Sequence, residues 1–406
     1  MQNNSNSCVF LILLSLILTF SMFSFLWQIW GGLHKFVPFI SLACLILLLY
    51  ELLNSKRVNN ISLRSIVSIT FMYVTILVII SLLLYPRDLL DGIKDKFSFI
   101  PYLLVIISTL SVSKFQIKQL KNISIAFVIL YILILISFKD IILIQYNGEE
   151  AGLKFSYDEI VKDFCYSAGF ILLLFPYLKN RQSFLLGVIY IITLVLAFLL
   201  ARRNIIITTF LFLIGGLFSY ALYLKENNKK GRLVLSLLTV VIMIAVFIPE
   251  VTSLLRGNSD IEILSNLSRR ALMDSRSFVV EDFINHMDAQ PSRWIFGCGF
   301  KNKYYSSDFG FRSVIESGYL NIIYRIGIVG LVLYLIIFLK ALLVKNTNIL
   351  ICVSKIYIVI FLIETLYAGV PTFNLRWFVV WLAVSFCFNK EIKSLTNTQI
   401  KDILCS

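Results

Sequence analysis

The chain has 406 residues, of which 59% are hydrophobic and only 15% are charged. A soluble protein of this size would aggregate with so little polar surface, so the composition excludes a soluble globular enzyme. The net charge of +14 would suggest nucleic acid in a soluble protein. In a membrane protein it is the expected excess of basic residues in cytoplasmic loops. We therefore predict a polytopic membrane protein with no nucleic-acid partner.

Apolar runs of about 18 or more residues recur along the chain, and each predicts a membrane-spanning helix. The first run lacks a basic stretch and a small-residue cleavage site, so we interpret it as a span and not as a signal peptide. We predict an all-α polytopic transmembrane helix bundle of about twelve spans, at 8–30, 36–53, 65–85, 97–113, 121–138, 161–178, 183–201, 203–224, 233–250, 316–339, 348–367 and 372–389.

The predicted spans divide the chain into three parts. Residues 1–250 hold about nine spans, residues 251–315 form one large extracytoplasmic loop, and residues 316–406 hold about three spans and a short cytoplasmic tail. Basic and acid-poor loops alternate with the others, and they contain Lys56, Arg57 and Arg64; Lys114, Lys118 and Lys121; Lys179 and Arg181; Lys225, Lys229, Lys230 and Arg232; Lys340 and Lys345; Lys390, Lys393 and Lys401. The positive-inside rule then predicts a multi-pass protein of the bacterial cytoplasmic (inner) membrane with both termini in the cytoplasm.

The sequence ARRN at 201–204 departs from this pattern, because it puts Arg202 and Arg203 on the outer side between two spans. Translocating an arginine is costly at the centre of a bilayer and less so near its surface. One interpretation is a tight hairpin whose arginines reach the outer headgroups. The other is a fixed cationic site at the outer membrane face that binds an anion.

The predicted outer loop is rich in arginine, with Arg269, Arg270, Arg276, Arg293 and Arg312. The planar guanidinium group binds phosphate in a bidentate manner, which suits a lipid-linked pyrophosphate at a membrane surface. Pairing of these arginines with the acids of the same loop is the alternative. Helical periodicity predicts an amphipathic helix over 268–286, and WIFGCGF at 294–300 predicts a turn at Gly297 and Gly299. The aromatic residues around this turn suit either sugar stacking or an interfacial belt.

The tenth span begins with Glu316, and Tyr319 follows one turn later on the same face. Gly327 and Gly330 continue that face and would permit close helix packing. Arg325 lies roughly opposite Glu316 on the helix, where it lines a cavity or pairs with Glu364 of the next span. Glu316 can act as a general base if burial raises its pKa, and it is equally an ordinary partner of the helix dipole.

Seven cysteines are scattered along the chain, mostly in apolar runs, and Cys298 is the clear exception in the large loop. We therefore predict neither a disulfide framework nor a CxxC metal site. No paired aspartates or His/Cys cluster is evident on the outer side, so we expect no metal and no cofactor.

The stretch SRSFVVEDFINHM…RWIFGCGF…ESGYLNIIYRIGIVGLVLYL resembles the C-terminal half of bacterial O-antigen and capsular polysaccharide polymerases, the Wzy family. That family shares its broad architecture with the O-antigen ligases. The specific motifs cover about 65 residues, and the rest resembles the family in hydropathy and span number. ARRN is similar to the outer arginine of these families. Ligases usually carry a histidine where this chain has Glu316, and this difference favours a polymerase.

The resemblance implies a membrane glycosyltransferase that joins undecaprenyl-pyrophosphate-linked oligosaccharide repeat units at the outer membrane face. Its partners would be the lipid-linked substrate, membrane lipid, a chain-length regulator and a flippase. The expected catalytic residues are Glu316, Tyr319 and Arg276, and the expected pyrophosphate ligands are Arg202, Arg203, Arg269 and Arg312. His286 and Arg325 are further candidates.

Three alternatives remain at this stage. An O-antigen ligase would transfer glycan to lipid A-core, and His286 keeps this reading open. A polysaccharide or lipid transporter would show related halves with broken helices and ionisable groups in both. A scaffold for other assembly proteins is the third.

Overall fold

The computed structural model describes residues 17–22, 43, 58–84, 99–139, 157–200, 202–226, 275–300, 302–307, 310–315 and 317–406. The described residues are predominantly helical and form an all-α membrane protein with one small hairpin. Six helices are long and apolar enough to cross a membrane. Most of the predicted spans at 8–30 and 36–53, the span at 233–250 and residues 251–274 of the predicted outer loop lie outside the described residues.

Six predicted spans are confirmed as long apolar helices, with boundaries within four residues except at the start of the span predicted at 121–138, whose helix begins seven residues earlier. They are α1 (Ile61–Leu84), α3 (Lys114–Ser137), α6 (Asn180–Leu199), α7 (Arg203–Glu226), α10 (Gly318–Leu342) and α11 (Ile349–Tyr367). Capping side chains fix several of their starts. A reciprocal pair of hydrogen bonds between Ser113 and Gln116 opens α3, and the Asn348 side chain accepts the Ile351 N–H at the start of α11.

Two predicted spans are shorter than a bilayer crossing requires. The span at 97–113 contains α2 (Ile100–Leu103), which continues as a 3-10 helix over Leu104–Thr109. The span at 372–389 is α12 (Leu375–Phe388), whose 14 residues are all buried. A helix of that length extends about 21 Å, less than the ~30 Å hydrocarbon core. Because α12 is enclosed by other helices on every side, it need not match the lipid thickness.

The predicted span at 161–178 is interrupted several times. It consists of α4 (Tyr157–Ile160), a π-helical turn (Val161–Cys165), a 3-10 turn (Tyr166–Ala168), α5 (Gly169–Leu173) and a second 3-10 turn (Phe175–Tyr177). Apolar composition predicted this crossing, but composition does not report where the backbone hydrogen-bond pattern changes. The π-helical turn is of interest because such turns occur frequently at functional sites.

One end of the bundle, here the lysine-rich end, is closed by the C-terminal segment. The short helices α13 (Lys390–Lys393) and α14 (Asn397–Cys405) fold back over it. Lys121 Nζ donates to the Leu404 carbonyl at 2.8 Å, and Lys340 Nζ donates to Ser62 Oγ at 2.6 Å. The basic loops of α1, α3, α10 and α11 therefore meet at one end, as the alternating loop charges predict.

The opposite end, here the Arg202 end, carries the connection between α6 and α7, the start of α10 and the junction of α11 with α12. Beside it, α8 (Ser275–Asp288) and α9 (Ser292–Phe296) lead into an antiparallel hairpin of β1 (Tyr304–Ser306) and β2 (Gly310–Arg312). The predicted helix over 268–286 is confirmed from Ser275 onward, and its first residues lie outside the described part of the chain. The hairpin was not predicted.

Candidate functional site

Four buried polar side chains meet near the Arg202 end and form what we call the charged cluster: Asp163, Glu364, Asn374 and Arg376. Arg376 Nη2 forms an ion pair with Glu364 Oε2. Asn374 Nδ2 donates to Asp163 Oδ1 at 3.0 Å. The exposed fraction is between 1% and 6% for all four. Ionisable groups at such positions are costly in a membrane protein and mark functional sites by default.

Local structure explains why Asn374 and Arg376 point into this cluster. Asn374 is the N-cap of α12, and its Oδ1 accepts the Trp377 N–H at 3.0 Å. The same amide group has its Nδ2 left for Asp163, so one side chain both starts the helix and holds the carboxylate. Arg376 follows in the first turn of α12, which is buried on every side.

Asp163 lies inside the π-helical turn of the interrupted span. The Asp163 carbonyl accepts the Ser167 hydroxyl at 2.6 Å, so the turn is held by a side chain as well as by its own backbone. The interruption thus directs a carboxylate toward α12 at a point where a regular helix would continue.

Hydroxyl groups and aromatic rings surround the charged cluster. The Arg376 guanidinium carbon lies 5.6 Å from the centre of the Tyr166 ring, a distance at which a cation is attracted to the ring face. Tyr166 donates its hydroxyl to the Ile205 carbonyl of α7 at 2.8 Å. Thr208 Oγ1 and the Tyr367 hydroxyl are 2.7 Å apart and join α7 to α11. The charged cluster is therefore enclosed by aromatic rings and by hydroxyls that join α7 to the interrupted span and to α11.

Arg202 lies at the rim of the same end, between α6 and α7. Its Nε is 3.4 Å from Asp158 Oδ1, and 39% of its side chain is exposed. Its backbone N–H donates to the Ala197 carbonyl at 2.9 Å, which closes the tight connection that the sequence predicts. Arg203, the first residue of α7, is exposed. Because Asp158 and Asp163 belong to one interrupted span, the rim arginine and the charged cluster are linked through it.

The two motifs quoted for the resemblance contact each other directly. Gly327 has φ 71° and ψ 178°, so α10 is broken there and is not one continuous helix. The turn after α9 fills the break, since the N–H of Cys298 donates to the Tyr324 carbonyl at 2.6 Å and that of Gly299 to the Arg325 carbonyl at 3.2 Å. The Tyr73 hydroxyl donates to the Ile326 carbonyl at 2.9 Å. Three carbonyls at the break therefore have partners outside the helix.

Arg325 stabilises this turn and does not pair with Glu364. Its Nη1 donates to the Gly299 carbonyl at 3.2 Å, its Nη2 donates to the Ser313 carbonyl, and its side chain is buried. The partner of Glu364 is Arg376. Of the two roles open from the sequence, pairing with Glu364 is therefore excluded.

Tyr319 of α10 contacts α11 through its hydroxyl. Its hydroxyl donates to the Leu362 carbonyl at 3.0 Å, on the same turn of α11 that carries Glu364.

His286 lies on α8 and Arg312 on β2, outside the six long apolar helices. Arg312 is on β2 opposite Tyr304, and the His286 ring packs against Tyr304 and Tyr324 with centroids 6.3 and 6.0 Å away. Burial and, to a smaller extent, the charge of Arg293 lower the pKa of His286. His286 and Arg312 therefore lie beside Tyr304 of the hairpin, whereas the Tyr319 hydroxyl contacts α11. Glu316, Arg269 and the Arg276 side chain lie outside the described residues.

The hairpin is tied to α8 by a carboxylate. Asp282 Oδ2 accepts the Ser307 N–H at 2.9 Å and the Ser307 hydroxyl at 3.0 Å. These hydrogen bonds lower the pKa of Asp282. Asp282 is one of the loop acids that the alternative interpretation pairs with arginine, and in the structure it accepts hydrogen bonds from the hairpin.

Sequence reasoning missed most of the charged cluster. Asn374 and Arg376 fall inside the predicted span at 372–389, and Asp163 falls inside the one at 161–178. A signal was present, because an arginine and an aspartate inside predicted spans are by themselves candidate functional residues. Averaging hydropathy over a window hides a single arginine among tryptophan, phenylalanine and valine.

No protein-family model, curated protein or solved structure matches this chain. The fold and the site therefore define it as an all-α membrane protein with a buried charged cluster beside one end of the bundle.

Proposed function

We propose that the chain is a membrane glycosyltransferase that joins undecaprenyl-pyrophosphate-linked oligosaccharide repeat units into O-antigen or capsular polysaccharide at the outer face of the cytoplasmic membrane. The observation that carries the proposal is the buried pair of Arg376 and Glu364 beside the arginine-bearing rim at Arg202. A lipid-linked pyrophosphate needs cations near the headgroups, and the hydroxyl of the separate acceptor saccharide needs a carboxylate nearby. Arg376 and Glu364 hold both kinds of charge at the end of the bundle where the proposed ligand Arg202 lies.

The chemistry requires one bond to form and one to break. The acceptor hydroxyl oxygen attacks the anomeric carbon of the growing glycan, and the bond from that carbon to the pyrophosphate oxygen breaks. In this proposal Arg202 and Arg203, with Arg269, Arg276 and Arg312 of the loop, neutralise the leaving pyrophosphate. Glu316 accepts the proton of the acceptor hydroxyl, and Tyr319 helps to close the site.

The contact between the WIFGCGF turn and the broken α10 adds support. Cys298 and Gly299 of the first motif donate their N–H groups to the carbonyls of Tyr324 and Arg325 of the second motif, each 26 residues further along the chain. Pieces that belong to one functional unit are expected to meet in this way.

A transporter of lipid-linked saccharide is the second candidate, and the interrupted helices favour it. The span that holds Asp163 and the helix that holds Gly327 are both broken, and transporters use broken helices with buried ionisable groups to bind substrate. The basic and acidic groups of the charged cluster would then bind substrate without a chemical step.

Deletion of the gene followed by gel analysis of surface polysaccharide tests both candidates. Loss of a polymerase leaves one repeat unit on the carrier or core, and loss of a transporter leaves lipid-linked intermediates on the inner leaflet. Purified protein in liposomes should extend externally added lipid-linked repeats into a ladder. Translocation of labelled lipid-linked saccharide without any ladder would contradict the polymerase and favour the transporter.

A further inference from the structure

Three side chains with soft donor atoms converge where α8 meets the turn after α9. Cys298 Sγ lies 3.8 Å from His286 Nε2 and 3.6 Å from Met287 Sδ. Neither the charged cluster nor the proposed sugar transfer uses these residues. Within the described part of the chain no three His, Cys, Asp or Glu side chains come together as a metal site. Here a thioether supplies the third donor.

The donor separations fit a metal ion placed between them. Bonds of about 2.3 Å to sulfur and about 2.0 Å to nitrogen put a sulfur and a nitrogen about 3.5–3.8 Å apart at tetrahedral to trigonal angles. The same bonds put two sulfurs about 3.8–4.0 Å apart. The two separations that Cys298 Sγ makes, 3.8 Å to the His286 nitrogen and 3.6 Å to the Met287 sulfur, are close to these values.

The surroundings of this trio suit a soft monovalent cation. Phe283 and Tyr304 are fully buried beside it, and Tyr324 closes another side, so much of the shell is aromatic. Met287 is fully buried, whereas His286 and Cys298 are partly exposed and give an ion access. Thiolate, thioether and imidazole are the ligands that select Cu(I).

We propose that His286, Met287 and Cys298 form a binding site for Cu(I). Binding replaces the thiol proton, so one S–Cu bond forms, one S–H bond breaks and the proton passes to solvent. The copper stays Cu(I) throughout, so no oxidant or reductant is consumed. Cu(I) and thiolate together are neutral, which suits a half-buried site.

The proposed copper site would hold in place the turn after α9, whose N–H groups donate to the carbonyls at the break in α10. Cys298 supplies both the thiol and the N–H that donates to the Tyr324 carbonyl. A metal ion would therefore join α8 to this turn through side chains alone. The inference stands on these contacts and does not depend on the proposed sugar transfer.

The experiment is anaerobic competition of the purified full chain against the Cu(I)–bicinchoninate complex. A background that retains only Cys298 removes the other thiols, at Cys8, Cys44, Cys165, Cys352, Cys387 and Cys405, by substitution with alanine. This background should withdraw one equivalent of Cu(I), and Cys298→Ser in it should withdraw none. Met287→Leu and His286→Gln should each weaken binding at least tenfold. X-ray absorption should show one nitrogen and two sulfur ligands.

Folding is controlled separately. Met287→Leu keeps the side-chain volume, and it is also made in the protein with all its cysteines, where it should lower the Cu(I) stoichiometry measured at a fixed competitor concentration. Each variant is used only if its size-exclusion profile matches the parent. Excess Zn(II) should not displace the copper, since zinc prefers four donors. Equal Cu(I) affinity in Met287→Leu or His286→Gln, or displacement by zinc, would overturn the site.

Discussion

Arg376 of α12 and Glu364 of α11 form an ion pair inside the bundle, on two helices joined by the connection 368–374. Both side chains are almost fully withdrawn from solvent. Pairing in such a place costs desolvation on both sides, so the pair gives less stability than two well-packed apolar side chains would. Retention of a costly pair beside Asp163 and Asn374 is easier to understand if it serves a ligand.

Separate removal of either charge should destabilise the protein, whereas removal of both should not. Arg376→Met or Glu364→Gln alone leaves a buried charge without its partner and should cost about 3–5 kcal/mol in the free energy of unfolding. The double variant Arg376→Met/Glu364→Leu should be neutral or more stable. Thermal melting in detergent measures this.

The same double variant separates structure from function. If the pair takes part in the proposed reaction, the double variant should fold normally and make no polymer. Wild-type polysaccharide chain length in the double variant would show that the pair is dispensable for function.

Arginine at positions 202 and 203 should not be replaceable by lysine if these residues bind pyrophosphate. Lysine keeps the charge and can still pair with Asp158, but it loses the bidentate fork. Arg202→Lys or Arg203→Lys should therefore shorten the polymer nearly as much as alanine does, with normal protein levels in the membrane. Asp158→Asn is the control for the ion pair alone. Polysaccharide of wild-type length with lysine at both positions would show that the two arginines only anchor this end of the bundle at the headgroups.

Alanine at Gly327 should strongly destabilise the protein. Its φ of 71° with ψ of 178° is a conformation nearly restricted to glycine, which costs other residues about 1–3 kcal/mol. A Cβ there would lie 2.1 Å from the Ile295 carbonyl oxygen, which adds a clash with α9. Gly187→Ala is the matched control, because it lies inside α6 with no atom within 4 Å of the added Cβ, and it should gain about 0.5–1 kcal/mol. Similar melting temperatures for the two variants would refute the clash.

Cysteine labelling should place the hairpin and the C-terminal segment on opposite sides of the membrane. Lys303 near β1 and Lys390 of α13 are both exposed and lie at opposite ends of the described bundle. In a cysteine-free background, Lys303→Cys should react with an impermeant maleimide in intact spheroplasts, and Lys390→Cys should react only after lysis. The reverse labelling would invert the orientation and remove the basis of outer-face chemistry.

The metal-free protein should lose stability as the pH falls below about 6.5. Because burial lowers the pKa of His286 from its ordinary value of 6.5, the unfolded chain binds its proton at a higher pH than the folded chain does. The stabilising contribution is therefore complete above pH 6.5 and declines until the pH has passed below the folded pKa. The melting temperature of His286→Gln should change less with pH in this range than that of the parent protein. The melting temperature of His34→Gln should follow the parent. If the melting temperature of His286→Gln still falls steeply over this pH range, a group other than His286 causes the loss of stability.

Hydropathy predicted the long helices well because each of them must satisfy the same length requirement. The predicted 203–224 corresponds to α7 at Arg203–Glu226, and 348–367 to α11 at Ile349–Tyr367. The lysine-rich end also followed from the sequence, since loop charge does not depend on packing.

The breaks in the helices could not be predicted in this way. Gly327 has the spacing of a helix-packing glycine, and only its backbone angles reveal a break. The π-helical turn at Asp163 depends on how α12 packs against it, which is a long-range relationship. Arg376 is a single charged residue in a very apolar stretch, so its position beside Glu364 became visible only when the helices were assembled.

The hydrogen bonds that the turn after α9 makes to the break in α10 at Gly327 have a consequence for synthesis of the protein. The ribosome makes the turn at Cys298 and Gly299 before it makes the carbonyls of Tyr324 and Arg325 that accept their N–H groups. The turn must therefore remain hydrated until the following helix has entered the membrane, and only then can it dock. Membrane insertion of α10 and folding of the preceding loop are thus completed together, so a chain stalled between residues 300 and 327 has neither in its final form.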